Sequence, residues 1–386
     1  MTAVSKHVVV IGGGVTGAAT AYDLSLRGFR VTLLERGSIG AGTSGRTHGL
    51  LHSGCRYVAD TEVARECYLE NQTLRRIAPF LFEKNGGLFV AITEDDLAYK
   101  DFFLKKCGEA GIPVEEVEPA VALKMEPNLN PKLKAAVLVP DGTFDPLKVI
   151  LSFLASAKKY GAVVKPYNEV VGFRVEGGEV RAVRVLDKVS LREYELEADF
   201  FVNATGAWAN KVASLAGLHV PVKPSPGVMV ALDGRIGNRV FNRLNKPGDG
   251  DIIIHQRGTS VIGTTSWIVE DPDGVSIPKE HVELMIKRGS EIAPVVSRMR
   301  VKAVYVSSRP LVGQAAQTGR EVSRSFAIID HSREGVGNML SIIGGKFVTA
   351  RLMAEKMGDA VCERLGVSVP SRTAELPLAP YWLYFS

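Results

Sequence analysis

The sequence predicts a mixed α/β (α+β) fold in which a Rossmann-like parallel-sheet domain is interleaved with an antiparallel-sheet cap. Three observations predict it. Residues 7–35, HVVVIGGGVTGAATAYDLSLRGFRVTLLE, read as strand, glycine turn, helix, strand and terminal acid, in that order. Small-residue junctions between an apolar strand and a helix recur at Ala204-Thr205-Gly206-Ala207-Trp208 and at Gly344-Gly345-Lys346. Between these blocks lie short apolar runs separated by glycine and proline, the pattern of antiparallel strands on tight turns.

The first block carries a physical argument for a bound dinucleotide. Gly12 permits the tight turn, Gly14 lets the backbone approach a pyrophosphate, and Gly17 lets helix and strand pack closely. The N–H groups at the helix start, around Val15 and Thr16, then face phosphate oxygens with the macrodipole behind them. Glu35, ending the second strand, suits hydrogen bonds from a ribose. The spacing alone does not separate FAD from NAD.

Residues 36–57, RGSIGAGTSGRTHGLLHSGCRY, are too irregular for a strand or helix and bring many backbone N–H groups near something anionic or planar. A helix capped by Asp60 or Thr61 is expected to about Glu83, with apolar positions at Val63, Cys67, Leu74, Ile77 and Leu81. A strand at Leu88 to Ile92, a helix at Glu94 to Ala110 and a strand at Leu133 to Val139 follow. Asp145-Pro146 starts a helix to about Tyr160. Strands near Ala162 to Lys165 and Glu169 to Val175 lead into a hairpin at 176–179 and a strand to Leu186. A strand at Asp199 to Asn203 and a helix to Leu215 close that block. Short strands are expected at Val228 to Leu232, Asp251 to His255, Ser260 to Thr264 and Ala303 to Ser307, with a helix from Pro278 to Ile292 among them. Strands at Phe326 to Asp330 and Met339 to Ile343 precede a helix opened by Gly344-Gly345-Lys346 and running to about Leu365. The domains are thus both discontinuous: 1–83, 145–221 and 309–370 form the dinucleotide domain, 84–144 and 222–308 the cap, and 371–386 a tail.

The chain has 386 residues and a formal charge of +5, spread along its length. That size allows a large core, and the charge gives little support for nucleic-acid binding. The cysteines at 55, 67, 107 and 362 form no C-x-x-C pair, which argues against a metal site and for a reducing compartment. Cys55 reads as a small buried residue rather than a nucleophile. The sequence has no run of about eighteen apolar residues, the length needed to cross a bilayer, and the first strand is expected to start too early for a signal peptide.

Several segments together resemble the FAD-dependent glycerol-3-phosphate dehydrogenases, above all the large catalytic polypeptide of the anaerobic bacterial enzyme. They are VIGGGVTGAATAYDLSLRGFRVTLLE, GRTHGLLHSGCRY followed by ARECYLEN, VNATGAWA, DIIIHQRGTSVIGTTS, VSSRPLVG, VSRSFAIIDH and IIGGKFVTARLMAEKM. They run in the family's order over about residues 7 to 365. The resemblance implies a D-amino-acid-oxidase-like flavoprotein and FAD as cofactor. It implies that Arg36 and the segment Thr43, Ser44, Arg46, Thr47, His48, Gly49 and Leu50 follow the cofactor. Val170 would meet the adenine edge, and Ala204, Thr205, Gly206 and Trp208 would lie beside the cofactor. Gly344, Gly345, Lys346 and Phe347 would bring a helix N-terminus to the flavin.

The implied substrate, sn-glycerol 3-phosphate, carries a phosphate that needs several cations, since one charge-assisted hydrogen bond contributes only ~1.5–3 kcal/mol. Arg56, Arg309, Arg324 and Lys346 are the candidate cations, with Tyr57 and Thr264 as hydroxyl partners. Oxidation to dihydroxyacetone phosphate needs hydride transfer to flavin N5 while a base takes the hydroxyl proton. His52 is the first candidate and His255 the second; Arg309 would also steady the developing alkoxide. No metal is expected.

Members of that family continue into a further C-terminal domain, whereas this sequence stops after the last helix and an aromatic tail, LPLAPYWLYFS. Such a tail suits a separate membrane-attaching subunit or the headgroup layer, placing a cytoplasmic protein at the membrane periphery. Packing on its own surface is the alternative. Quinone is the expected acceptor, with oxygen or a soluble carrier left open, as is homo-oligomerisation. Two other readings compete: a related flavoprotein oxidising a 2-hydroxy acid or amino acid, and a non-catalytic flavin subunit that relays electrons.

Overall fold

The computed structural model describes residues 5–313 and 325–386. Its parallel core is a six-stranded sheet ordered Phe326–Asp330, Met339–Gly344, Phe200–Asn203, His7–Ile11, Arg30–Leu34 and Val163–Lys165. All neighbours are parallel except the first pair, which is antiparallel. The strand His7–Ile11 is buried on both faces, as its unbroken apolar run requires. Helices Val15–Leu26, Pro146–Lys159 and Ala350–Leu365 pack together on one side of the sheet, around Tyr22, Phe153 and Met357.

The second large sheet has eight strands, from Val301–Val312 through Val222–Leu232, Thr259–Gly263, Ile252–Gln256 and Val240–Arg243 to Gly87–Ala91, Ala135–Val139 and Glu115–Val117. Two of these strands exceed the expectation. Val222–Leu232 and Val301–Val312 stay paired through Pro224, Pro226 and Pro310. Trp267 and Val269 donate their N–H groups to the Pro226 and Pro224 carbonyls on the outer side of the strand. The N–H that proline lacks would have pointed the same way, so the ladder to Val301–Val312 loses nothing.

Other boundaries moved for local reasons. The helix expected to Glu83 is Thr61–Ile77, because Pro79 bars Ala78 from helical geometry. Asp60 caps it, accepting from the Val63 N–H at 3.1 Å. The segment 94–110 is two helices, Glu94–Ala98 and Lys100–Ala110, the first opened by a capping box between Thr93 and Asp96. Strands Arg192–Glu197 and Val240–Arg243 and the helix Pro119–Met125 had no expectation. No helix among the described residues is long and apolar enough to cross a membrane.

The tail packs on its own protein. Leu378 is buried, and its N–H donates to the Ile77 carbonyl. The Lys158 ammonium donates to the Tyr384 carbonyl at 2.7 Å and Lys148 lies over the Tyr381 ring. Tyr381 and Tyr384 face inward against the main core, while Trp382, Leu383 and Phe385 face solvent beside Phe80.

Candidate active site

The glycine turn is built as the spacing requires. Gly12 sits at φ +112°, and a Cβ there would stand 2.7 Å from the Ala204 carbonyl oxygen. A Cβ on Gly17 would lie 1.9 Å from the Gly12 carbonyl oxygen, so this glycine serves packing and not the cavity wall. Gly14 faces Ser44, whose hydroxyl accepts from the Val15 N–H at 3.0 Å. The Glu35 carboxylate accepts from Gly13 N–H at 2.7 Å and Gly37 N–H at 2.8 Å, clamping the turn to the end of the second strand.

From this turn a cavity of about 1080 Å³ runs between the two sheets. One end is walled by Glu35, Arg36, Val170 and Trp208, the middle by Thr43, Ser44, Arg46, Thr47 and Thr205, and the far end by His48, His52, Tyr57, Thr264, Arg309 and Lys346. Thr16, Leu50, Ala204, Gly206 and Phe347 also line it. Small-molecule pockets commonly run to ~300–1,000 Å³, so this one has room for a large cofactor with a small molecule beside it.

The far end is organised by two strands and a turn. Arg309, on Val301–Val312, donates to the Thr264 hydroxyl, to the Thr265 carbonyl at 3.0 Å and to the Ser225 and Pro226 carbonyls at 3.4 Å each. Gly227 makes this possible, since a Cβ there would stand 2.4 Å from the guanidinium. His52 Nε2 lies 3.5 Å from the Tyr57 hydroxyl, and the Lys346 ammonium sits 4.8 Å above the Tyr57 ring. His48 packs edge-on to His52, with ring centroids 6.2 Å apart. Burial, then the Arg309 and Arg56 charges, push the His48 imidazole down to about 3, so it is neutral near pH 7.

The candidates His255, Arg56 and Gly49 do not line this cavity. His255 is sealed inside the cap, its Nδ1 2.9 Å from the Ser260 hydroxyl and its ring edge-on to Phe241. Its strand turns it away from the cavity, so it cannot meet a substrate there. Burial, then Arg235, push it down to about 3. The unfolded chain therefore binds a proton that the folded one refuses between about pH 6.5 and 3. His255 contributes full stability above that window and loses it as pH falls, about 2 kcal/mol by about pH 5. His255→Gln is expected to remove that part of the difference between urea unfolding at about pH 7 and at about pH 5.

Arg56 stands behind the cavity wall, donating to the Gly248 carbonyl at 3.1 Å, with Asp251 at 3.8 Å. Arg56 and Tyr57 share the single 3-10 turn Cys55–Tyr57, where successive side chains point about 120° apart, so Tyr57 faces the cavity while Arg56 reaches toward the cap. Gly49 lies outside the lining too; its φ of +78° and its carbonyl, bonded by Phe144 N–H, fix the bend between Thr47 and Leu50. Arg324 lies outside the described residues. Gly344 and Gly345 line the cavity at φ +82° and +71°, but the helix after them begins only at Ala350. They offer a turn rather than a helix N-terminus. Cys55 is buried 3.8 Å from the Cys107 sulfur, and burial raises its thiol well above its ordinary range.

One wall was not foreseen. Residues 272–275 close over the cavity, and the Asp273 carboxylate accepts from Trp208 Nε1 at 2.8 Å, Arg36 at 3.0 Å and Lys211 at 2.8 Å. Burial pushes this carboxyl up, but those donors outweigh it and hold it at about 2. Nothing in the sequence links Asp273 to Arg36, more than two hundred residues away.

A glycine turn with no space for side chains, an acid ending the second strand and a long cleft between two sheets fit a flavin dinucleotide. The family model described as "FAD dependent oxidoreductase" (DAO) matches residues 7–351. The chain belongs to this family.

Within the family, it is 43% identical over 379 residues to the A subunit of the anaerobic glycerol-3-phosphate dehydrogenase of Escherichia coli (strain K12), covering 97% of this chain and 70% of that protein. The A1 subunit of the Haloferax volcanii anaerobic enzyme is 42% identical over 388 residues, covering 97% and 66%. Among solved family structures, the glycine oxidase of Geobacillus kaustophilus superposes with a TM-score of 0.76 at 21% identity, covering 97% of this chain and 99% of that one. The glycerol-3-phosphate dehydrogenase of Bacillus halodurans, complexed with FAD, gives 0.73 at 24%, covering 97% and 68%. Both share the fold of this FAD dependent oxidoreductase.

Proposed function

We propose that the chain oxidises sn-glycerol 3-phosphate to dihydroxyacetone phosphate. The observation that carries this reading is the far end of the cavity, where His52, a tyrosine, a lysine and a forked arginine converge beside the dinucleotide turn. The substrate class named for the Escherichia coli and Haloferax relatives supports it. A phosphate asks for several cationic donors, and Arg309 and Lys346 supply them, with Thr264 and Tyr57 as hydroxyl partners.

FAD, when bound, would supply a two-electron acceptor; the turn at Gly12 to Thr16, Glu35 and the lining residues between Thr43 and Leu50 would hold it. His52 takes the proton of the carbinol hydroxyl as the hydride leaves its carbon. His48 and His255 are unsuited, since bases with pKa near 3 accept a proton poorly around pH 7. Arg309, locked by Thr264 and three carbonyls, offers fixed positive charge where an alkoxide develops.

Anaerobic mixing tests the reading. The yellow holoprotein should bleach with glycerol 3-phosphate and stay oxidised with glycine or 2-hydroxyglutarate. Bleaching by the acids alone would replace the reading, and no bleaching at all would leave an electron-relay role.

The acceptor fits a quinone reached through a membrane-attaching partner that docks on the tail. What supports this is the tail's two-sided packing, with Tyr381 and Tyr384 inward and Trp382, Leu383 and Phe385 outward. Changing the three outward residues to serine should release the protein from membranes of its own cells without loss of FAD. Unchanged fractionation would sink the partner.

A further inference from the structure

His52 is carried on a two-residue strand, Leu50–Leu51, and an irregular turn, too little structure to fix an imidazole. Its backbone is gripped from outside. Asn71, fully buried on the helix Thr61–Ile77, points its amide at the turn, with Nδ2 3.2 Å from the Leu51 carbonyl and 3.0 Å from the His52 carbonyl. Arg75, one turn later, donates from Nε to Asn71 Oδ1 at 2.8 Å and from Nη2 to the Asp141 carbonyl at 2.8 Å. That fixes which end of the amide faces His52. On the other side, buried Asp141 accepts from both Ser53 N–H at 2.8 Å and Ser53 Oγ at 2.7 Å, and its second oxygen receives Asn242 of the cap sheet at 3.3 Å. Gly142 leaves the space, since a Cβ there would stand 2.4 Å from the Arg75 guanidinium.

We propose that Asn71, oriented by Arg75, is the positioning residue for His52, and that with Asp141 it ties the base to the helix Thr61–Ile77 and to the cap sheet. None of the three lines the cavity, so their action runs through the backbone at 51–53. Buried polar groups in a fully satisfied network hold one arrangement, and misplacing a reacting group by about 1 Å can cost ~10²-fold in rate. The inference rests on His52 being the base.

The test uses the FAD-loaded protein with Asn71→Ala and Asn71→Asp. The second keeps the shape and the Arg75 contact but loses both donors to the turn. Each should speed amide exchange at 51–53 by about tenfold or more and slow the limiting rate of bleaching by glycerol 3-phosphate ~10- to 100-fold, with KM within about twofold. In a His52→Ala background the Asn71 substitutions should slow bleaching no further, because the residues act as one unit. Faster exchange with an unchanged rate, or a loss that adds fully to that of His52→Ala, would overturn the proposal. A His52→Ala protein that bleaches normally would instead defeat the base assignment, whatever the exchange at 51–53.

Discussion

His52→Ala is expected to lower the limiting rate of FAD bleaching by glycerol 3-phosphate ~10²–10⁴-fold, the usual worth of a positioned general base. FAD content should stay at the wild-type level, because the Glu35 clamp and the glycine turn lie at the opposite end of the cavity. The loop should keep its path as well, since Asn71 and Asp141 hold the backbone at 51–53 and not the ring. His48, 6.2 Å away, is a poor substitute: its imidazole is held at about 3 by burial and two guanidiniums. Single-turnover mixing of the holoprotein decides it, and a rate within about twofold of wild type removes His52 from the chemistry.

Arg309→Ala is expected to lower kcat/KM for glycerol 3-phosphate by ~10- to 150-fold, the equivalent of one charge-assisted hydrogen bond at ~1.5–3 kcal/mol. Arg309→Lys should recover little. The side chain spreads its donors over Thr264 and the carbonyls of Ser225, Pro226 and Thr265, a geometry that a point charge on a flexible stem cannot reproduce. Because those acceptors lose their partner in Arg309→Ala, thermal stability and FAD content must be measured beside the kinetics. A stable, FAD-loaded Arg309→Ala protein with unchanged kcat/KM would make Arg309 a structural pin and leave the phosphate to Lys346 and its neighbours.

Sequence and structure agree most closely where local rules are strong. The unit from His7 to Glu35 is one: an unbroken apolar strand, glycines at positions that exclude a Cβ, and an acid at the second strand's end. Asp145-Pro146 is another, with the Asp145 carboxylate accepting from Leu147 and Lys148 N–H groups. The resemblance to flavin-dependent dehydrogenases also rested on contiguous segments. Where a side chain's role depends on which way a strand faces, local rules carried less. His255 sits on the wrong face of its strand, where a single step of alternation separates a ligand from a core residue, and Arg56 points out of a 3-10 turn toward the cap.

By itself the sequence determined the dinucleotide unit and the interleaving of parallel and antiparallel blocks, while His52 and Arg309 came forward as candidates only through the family resemblance. Steric exclusion at glycines and hydrophobic periodicity act over a few residues, so a linear reading captures them. Only the tertiary structure decided that His48 joins His52 while His255 does not, that Asp273 bridges to Arg36, and that Asn71 and Asp141 grip the turn. Those are contacts between residues tens to hundreds of positions apart, fixed by how two sheets close on each other, and burial sets the protonation of the histidines they enclose.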